Sequence, residues 1–229
     1  MNPLRDRFEA VKGEASSRAA AVAEFGFAVP TDEALEHIQR WSPNGVVEIG
    51  AGVGYWAHLL QQRGTDVLAY DVEPPPSPNN TWHAGQSPWH RVERGGIERA
   101  VEHADRTLLL GWPTQNEVWP ADALEAYASN GGSVLAYVGE PAGGRTGDDR
   151  FHAMLGALEG CMACTYGLAN VPCTCGVKTQ WIPAEEVELP CWEGFCDRLV
   201  MYRRADMNEP TRPGRWRFWH GQGTGARMQ

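Results

Sequence analysis

Short apolar runs alternate along the chain with stretches in which apolar residues recur at helical spacing. The run at residues 46–49 is followed by Trp56, Leu59 and Leu60, which fall on one side of a helix at steps of three and four. The same alternation continues over residues 45–203. Strands separated by helices predict one α/β domain, in which the helices pack on a central sheet.

The order of the expected strands predicts the class of this sheet. The first five alternate with helical segments, an arrangement that builds parallel strands with crossover helices. The last two follow each other as a hairpin-like pair. We therefore expect a doubly wound, mostly parallel seven-stranded sheet with helices on both faces and an antiparallel last strand. The strands are expected at residues 46–49, 67–70, near 92, 107–110, 133–138, 179–182 and 198–202.

The residues before the first strand have a helical pattern of their own. Apolar residues recur at steps of three and four over residues 3–24, and Gly13 interrupts this stripe. Thr31 has the character of a helix N-cap, and the helix that follows stops before Pro43. The chain therefore divides into an N-terminal helical cap, a sheet domain and a C-terminal tail. These segments are expected at residues 1–43, 44–204 and 205–229.

Glycines at alternate positions follow the first apolar run and precede a helix. Gly50, Gly52 and Gly54 stand directly after the strand that carries Glu48. Glycine allows the dihedral angles of a tight turn and lets a ligand approach the backbone closely, and unpaired N–H groups of the following helix point at the turn. The second strand ends in Asp71, and an acid at that distance suits the two hydroxyl groups of a ribose. The pattern predicts a site for a nucleoside-containing cofactor.

The turn departs from the dinucleotide-binding fingerprint at its third position. Gly50 and Gly52 match the first two glycines, but Tyr55 stands where Gly or Ala is required for close packing and for a pyrophosphate. Glu48 would repel a pyrophosphate, whereas it suits a cationic group such as the ammonium of an amino acid. The alternative is a plain strand–turn–helix that needs glycine for its geometry alone.

Together, Glu48, the alternate glycines and Asp71 resemble motifs I and II of the class I S-adenosylmethionine-dependent methyltransferases. The resemblance implies a Rossmann-like domain over residues 44–204 that binds S-adenosylmethionine, with Asp71 on the ribose. It also implies that the N-terminal helices cover the cofactor or complete the acceptor pocket, with packing for stability as the alternative. The cofactor-binding residues expected from it are Glu48, Gly50, Ala51, Gly52, Gly54, Tyr55, Asp71, Val72, Gly95 and Trp112.

The acceptor site is expected near residues 111–115, directly after the fourth strand. Many amino-directed methyltransferases of the resembled family carry Asn or Asp, two prolines and an aromatic residue there, and Trp112 and the residues after Pro113 depart from that pattern. The acids of the metal-dependent catechol-type enzymes are missing from this segment too, so no catalytic metal is expected. The ring of Trp112 is expected to lie against the sulfonium cation or to form a planar wall for the acceptor. His83 and His90 are the candidates for a general base.

Three functions stay open from the sequence. The first is a methyltransferase that acts on a small molecule or a peptide. The second is an enzyme of the same fold that uses the sulfonium for an intramolecular displacement and releases methylthioadenosine. The third is a non-catalytic scaffold that binds the cofactor. The nucleoside product separates them, because it is S-adenosylhomocysteine, methylthioadenosine or neither.

Charge and composition bound the expected partners. The 229 residues carry a net charge of −9, from 20 basic and 29 acidic residues. This balance argues against a nucleic-acid backbone as the main partner, because binding to its phosphates needs a basic surface. It does not exclude a local basic patch. No apolar run approaches the roughly 20 residues of a membrane helix, and the first residues lack the apolar core of a signal peptide. We therefore expect a cytoplasmic protein that does not bind membranes, and its oligomeric state stays open.

Four of the six cysteines lie close together in the sequence. Their spacing is compatible with a tetrahedral zinc site, and the alternative is a set of small buried residues. Because the cytoplasm keeps thiols reduced and the gap between the pairs is short, free thiols without zinc are expected. These cysteines are Cys161, Cys164, Cys173 and Cys175.

The tail at residues 205–229 combines arginines with Trp216, Phe218 and Trp219. One interpretation is an arm that closes over a pocket or a partner, since aromatic and basic residues together stack on single-stranded nucleic acid. The other is a segment laid on the protein surface or partly disordered, and the net acidity of the chain favours it.

Overall fold

The computed structural model describes residues 1–156 and 181–204, and within these ranges it contains seven strands and seven helices. The strands are β1 Val46–Ile49, β2 Val67–Asp71, β3 Val92–Arg94, β4 Thr107–Gly111, β5 Val134–Gly139, β6 Trp181–Glu188 and β7 Arg198–Arg204. The helices are α1 Pro3–Val11, α2 Ala15–Phe25, α3 Asp32–Trp41, α4 Tyr55–Gln62, α5 Ile97–Glu102, α6 Trp119–Ser129 and α7 Asp149–Met154.

The strands form one sheet in the order β3-β2-β1-β4-β5-β7-β6. Strands β1 to β5 are parallel to one another, whereas β7 is antiparallel to both β5 and β6. The predicted fold class, a doubly wound and mostly parallel sheet with an antiparallel last strand, is confirmed. The chain winds outward from β1 in both directions, so the strand order reverses between β1 and β4. In open α/β sheets the crevice at such a reversal, outside the carboxyl ends of the strands, is where ligands bind.

Alternating side chains along the strands build one hydrophobic layer on each face of the sheet. Val46 of β1 packs with residues of α1 to α4, whereas the next residue, Val47, packs with residues of α5 to α7. In β4, Leu109 belongs to the first layer and Leu108 to the second. Successive residues of a strand point to opposite faces, so central strands covered on both faces are mainly apolar, and the buried acid Glu48 in β1 is an exception. This explains why the apolar runs in the sequence predict the positions of the strands.

The stripe over residues 3–24 forms two helices rather than one. Helix α1 ends where Lys12 and Gly13 adopt left-handed conformations, with φ of 51° and 70°. The chain then turns back into α2, and Gly13 is the residue that takes such a conformation without steric cost. The predicted N-cap of α3 is confirmed, because the Thr31 hydroxyl accepts a hydrogen bond from the Ala34 N–H at 3.1 Å.

Strand β6 extends further than the predicted strand at residues 179–182. It pairs with β7 from Trp181 to Glu188, with an irregularity in register between Pro183 and Glu185. Because β6 is an edge strand with three acidic residues, of which Glu185 is half-buried and Glu186 and Glu188 are exposed, its apolar pattern is weak and its length cannot be read from periodicity. Residues 179 and 180 lie outside the described residues.

Two other predictions fall on parts of the chain that the structure does not describe. They concern the tail at residues 205–229 and the cluster of Cys161, Cys164, Cys173 and Cys175. Among the helices that are described, none combines the length and the apolar character needed to cross a bilayer.

Candidate active site

A cleft of about 930 Å³ lies at the carboxyl ends of the parallel strands. Its walls come from the segments that follow β1, β2, β3 and β4, from the connector between α2 and α3, and from residues 79–83. The cleft therefore occupies the place where the strand order reverses. Nine predicted cofactor-binding residues line it: Glu48, Gly50, Ala51, Gly52, Tyr55, Asp71, Val72, Gly95 and Trp112.

The glycine turn brings the backbone close to side chains of the cleft wall. Gly52 has a φ of 54°, and a Cβ atom there would lie 2.8 Å from Nε2 of His83. Gly54, with a φ of 68°, is the N-cap of α4, and a Cβ there would lie 2.9 Å from Val92. Gly54 is not among the described residues that line the cleft. It starts the helix, whereas Gly52 forms part of the cleft floor.

Asp71 ties the end of β2 to the glycine turn. Its Oδ2 accepts a hydrogen bond from the Gly52 N–H at 3.0 Å, and its Oδ1 accepts one from the Glu73 N–H at 2.9 Å. Each carboxylate oxygen has two lone pairs, so both oxygens keep the capacity to accept a further hydrogen bond. The carboxylate is thus held in place by the backbone while it faces the cleft, an arrangement that suits two adjacent hydroxyl groups of a ligand.

Glu48 is a buried acid in the wall of the cleft. The residue is 3% exposed, and its Oε2 has no hydrogen-bond partner among the described residues. Burial raises the pKa of Glu48 to about 8, against the opposing effect of the Ala57 N–H at the start of α4 and with a further increase from the charge of Asp71. A buried acid without a partner is costly. A cationic donor from a ligand in the cleft would satisfy it.

His83 lies over the glycine turn rather than beside Trp112. The residue is 4% exposed, and its Nδ1 is 3.0 Å from the carbonyl oxygen of Ala23. Because a carbonyl only accepts, Nδ1 carries the proton. Burial lowers the pKa of His83, although the Ala23 carbonyl and the charge of Asp71 oppose this, so the ring is held neutral. Its Nε2 is then a hydrogen-bond acceptor above Gly52.

His90 is placed away from the cleft. It lines a separate groove of about 220 Å³ with residues of β2, and it interacts with the backbone of Val67 at the start of that strand. Burial lowers the pKa of His90. Because Val67 begins β2 whereas the cleft opens where β2 ends, the geometry gives no support to a catalytic role for His90.

Tyr55 connects the glycine turn to the N-terminal helices. Its hydroxyl donates to Oδ1 of Asn2 at 2.8 Å and accepts a hydrogen bond from the Leu4 N–H at 3.2 Å. The ring packs against Phe25 and Trp89, at centroid distances of 5.1 and 5.2 Å. The residue at the third fingerprint position therefore anchors α1 and α2 over the cleft, which accounts for a large side chain where dinucleotide-binding turns need a small one.

Trp112 follows β4 in a left-handed conformation with a φ of 51°. Its indole N–H donates to Oδ1 of Asp197 at 2.6 Å, and its ring stacks on Phe27 at a centroid distance of 4.6 Å and an angle of 9°. Burial raises the pKa of Asp197 to about 6, while the indole N–H opposes this shift. The Trp112 ring is thus fixed from two sides, as a wall at one end of the cleft.

The same end of the cleft contains residues that the sequence gives no reason to select. They come from α2, the α2–α3 connector, the loop before α7 and the turn before β7, so no local motif joins them. These residues can be grouped only when the folded structure shows that the four segments meet at one edge of the sheet. These residues are Arg18, Phe27, Arg145 and Phe195, with Asp197 behind Trp112.

Within residues 1–156 and 181–204, no group of three or more His, Cys, Asp or Glu residues is arranged to hold a metal ion. Cys191 and Cys196, which are described, are free thiols. Burial raises the pKa of the Cys191 thiol to about 11, so this thiol is protonated at neutral pH.

No protein-family model and no curated protein sequence matches the chain. Solved structures with a similar fold include magnesium protoporphyrin IX methyltransferase from Synechocystis PCC 6803 with bound S-adenosylmethionine, with 12% identity, coverage of 76% of this chain and 77% of that one, and a TM-score of 0.42. A second is the 1,6-didemethyltoxoflavin-N1-methyltransferase of Burkholderia thailandensis with bound S-adenosylhomocysteine, with 15% identity, coverage of 89% and 84%, and a TM-score of 0.45. A third is a tRNA methyltransferase of B. subtilis, with 15% identity, coverage of 77% and 68%, and a TM-score of 0.42. At these identities the likeness concerns the architecture alone.

The expectation against a nucleic acid as a partner is wrong, since the solved structures of similar fold include the tRNA methyltransferase of B. subtilis. The physical error lies in the use of net charge, which is a sum over the whole chain. Contact with phosphates depends on the local distribution of basic residues, and a net charge of −9 does not describe any one surface.

Proposed function

We propose that the chain is an S-adenosylmethionine-dependent methyltransferase that acts on a small molecule or a peptide. The observation that carries the proposal is the buried carboxyl of Glu48, a residue that lines the cleft and whose Oε2 has no hydrogen-bond partner among the described residues. A ligand that brings an ammonium group to this point removes the cost of that buried acid. The amino-acid end of S-adenosylmethionine provides such a group.

The rest of the proposed cofactor site follows from the same edge of the sheet. Asp71 is positioned by the Gly52 N–H to accept hydrogen bonds from the ribose hydroxyl groups. His83 offers the acceptor Nε2 next to the turn. A Cβ at Gly52 would lie 2.8 Å from Nε2 of His83, so glycine lets the His83 ring pack directly against the turn.

When bound, S-adenosylmethionine supplies an electrophilic methyl group on a sulfonium centre. The residues at the Trp112 end then hold and orient the acceptor, exclude water and present aromatic faces to positive charge. Thr114 and Gln115 line this end, and the Gln115 side-chain amide donates to the carbonyl of Gly144 at 3.0 Å. Alignment and desolvation are thus the proposed contributions of the chain, and His83 is assigned to the cofactor rather than to proton transfer.

The proposal is tested by calorimetric titration of the full chain with S-adenosylhomocysteine and with NAD. We expect binding of S-adenosylhomocysteine and no binding of NAD, since Tyr55 stands where a dinucleotide-binding turn needs Gly or Ala. Incubation with S-adenosylmethionine and a cell extract stripped of small nucleosides should then yield S-adenosylhomocysteine, identified by mass spectrometry. Methylthioadenosine as the product would assign an intramolecular displacement instead. Binding of NAD without any response to S-adenosylhomocysteine would refute the cofactor assignment.

A further inference from the structure

The Trp112 end of the cleft combines aromatic rings with two arginine side chains. The guanidinium carbon of Arg18 lies 3.7 Å from the ring centroid of Phe195 and 5.2 Å from that of Trp112. The guanidinium carbon of Arg145 lies 4.3 Å from the centroid of Phe195. Both arginines line the cleft, together with the stacked rings of Phe27 and Trp112. This part of the wall therefore presents flat apolar faces and positive charge side by side.

The charge of Arg18 is not matched by an ion pair among the described residues. Its Nε and Nη2 are buried and have no hydrogen-bond partner there. Burial is the main cause that lowers the pKa of Arg18, and the charge of Arg145 acts in the same direction, while Asp197 and Glu140 oppose it. A guanidinium that has lost water without gaining an acceptor carries a desolvation cost. An anion in the cleft would offset that cost.

The two acids whose charges act on Arg18 lie behind the wall of the cleft. Both carboxylate oxygens of Glu140 accept hydrogen bonds from backbone N–H groups, those of Arg145 at 2.7 Å and Cys196 at 3.0 Å. Oδ1 of Asp197 accepts the Trp112 indole N–H, whereas its Oδ2 is buried without a hydrogen-bond partner among the described residues. Neither acid is among the described residues that line the cleft. The two acids thus lower the positive potential near the arginines without lining the cleft. Arg18 and Arg145 themselves line it.

We infer that the acceptor is a small planar aromatic or heteroaromatic acid, whose anionic carboxylate or phosphate binds Arg18 and Arg145. Its ring would lie against the aromatic wall of Phe27 and Trp112, next to Trp82, which is 52% exposed. Arginine suits planar anions because its donors form a rigid fork. The cleft volume of about 930 Å³ lies in the upper part of the range for small-molecule sites. This inference rests on the proposed function for the identity of the other ligand in the cleft.

The test is calorimetric titration of the full chain with 1-naphthoate, 1-naphthyl phosphate and the neutral 1-naphthamide, with and without saturating S-adenosylhomocysteine. At least one of the two anions is expected to bind about tenfold more tightly than the amide, as a charge-assisted hydrogen bond predicts. The comparison of carboxylate with phosphate identifies the anionic group. Arg18→Gln is expected to remove the preference for the anion, and Arg18→Lys to restore part of it.

Arg91→Gln is the matched control, because it removes the same charge from a side chain that is 83% exposed and lies outside the cleft. It should leave the preference unchanged. A far-ultraviolet circular dichroism spectrum and a thermal midpoint like those of the wild type show that Arg18→Gln is folded, whether or not S-adenosylhomocysteine binds. Equal affinity for anion and amide, or a preference that survives Arg18→Gln, would overturn the inference. Arg18-dependent binding of bulk tRNA without binding of the naphthyl anions would also overturn it, in favour of a nucleic acid.

The failure of this inference can be told apart from failure of the proposed function. If S-adenosylhomocysteine binds but the naphthyl anions do not, the acceptor class is wrong and the cofactor assignment stands. If the anions bind with the expected dependence on Arg18 while S-adenosylhomocysteine does not bind, the anion site stands and the cofactor assignment fails.

Discussion

Among single residues, Glu48 links the proposed cofactor site to pH. Its pKa of about 8 results from burial, so the protonated carboxyl prevails at neutral pH when the cleft holds no ligand. A bound ammonium group reverses this preference, because a charge-assisted hydrogen bond stabilises the carboxylate. Binding of the amino-acid end of the cofactor therefore releases a proton, and the affinity rises as the pH is raised towards 8.

We predict that S-adenosylhomocysteine displaces about one proton per molecule bound at pH 6.5, and that Glu48→Gln displaces almost none. The measurement is calorimetric titration in buffers with different heats of ionisation. Glu98→Gln is the matched control, because Glu98 also lines the cleft but hydrogen bonding with the Gly96 N–H lowers its pKa, so it is already ionised. Equal proton release from the wild type and Glu48→Gln would contradict the assignment.

Trp112 and Asp197 form a second pH-dependent pair. The pKa of Asp197 in the fold is about 6, above the usual value of 3.8, so its carboxyl is ionised at pH 8 and protonated at pH 5. The indole N–H stabilises the ionised form. Loss of this donor therefore costs the most stability above pH 6, and the cost declines as the pH falls through the pKa and the carboxyl becomes protonated.

Trp112→Phe keeps an aromatic ring against Phe27 but removes the donor to Asp197. The expected loss of unfolding free energy is about 1–3 kcal/mol at pH 8, the cost of an unsatisfied buried acceptor, and distinctly less at pH 5. Urea denaturation at both pH values measures it. Trp41→Phe is the control, since the Trp41 side chain donates to Glu185, whose side chain is 30% exposed. A loss independent of pH would show that the ring, rather than the hydrogen bond, matters.

At the level of the element, the glycine turn between β1 and α4 combines a left-handed backbone with a close wall. Gly52 has a φ of 54°, donates its N–H to Asp71 and leaves no room for a Cβ next to His83. Gly64, at the end of α4, also has a positive φ, of 86°, but no atom lies within 4 Å of the place of its Cβ. Substitution of Gly64 therefore tests the cost of the left-handed backbone alone, whereas substitution of Gly52 adds a steric clash with His83.

Gly64→Ala is expected to cost about 1–2 kcal/mol of stability from the left-handed backbone alone, without change in cofactor affinity. Gly52→Ala is expected to cost more and to weaken binding of S-adenosylhomocysteine about tenfold or more, because the added methyl displaces His83 and Asp71 from their places at the turn. Thermal denaturation and calorimetry measure the two effects. Equal behaviour of the two variants would remove the turn from the proposed site.

At the level of the whole molecule, the N-terminal helices share one hydrophobic layer with the sheet. Leu4 of α1, Ala21 of α2 and Leu35 of α3 are at most 1% exposed, and they belong to the same cluster as Val46 and Leu109 of the sheet. The boundary expected at residue 43 stays a prediction, but this packing indicates that the segment before it is not independently stable. The helices act as part of the fold, and of the three only α2 also lines the cleft, through Arg18 and Phe25.

Leu35→Ala is expected to lower the free energy of unfolding by about 2–5 kcal/mol, the range for truncation of a fully buried leucine. The loss should appear in one cooperative transition that far-ultraviolet circular dichroism and tryptophan fluorescence report together. Glu36→Ala, at an exposed position of the same helix, is the control and should change little. Two separate transitions would instead support residues 1–43 as an autonomous cap.

The sequence is sufficient for the sheet, for its class and for most strand positions. Strands covered on both faces are mainly apolar, and this pattern is local, so β1, β2, β4 and β5 are recognisable without a structure. The turn residues and Asp71 are recognisable for a similar reason, because strand ends and glycine turns are defined by near neighbours in the chain. The length of the edge strand β6 could not be predicted, because its pattern of apolar residues is weak.

The residues beyond the local motifs are decided only by the tertiary structure. His83 and His90 are seven positions apart, yet the fold places one over the glycine turn and the other in a separate groove. Arg18 and Arg145 are distant in sequence, yet both contact Phe195. Periodicity records whether a position is buried, and local motifs record a turn or a strand end. Which distant side chains meet in a cleft depends on how the helices pack and where the loops return, and that is a property of the folded chain alone.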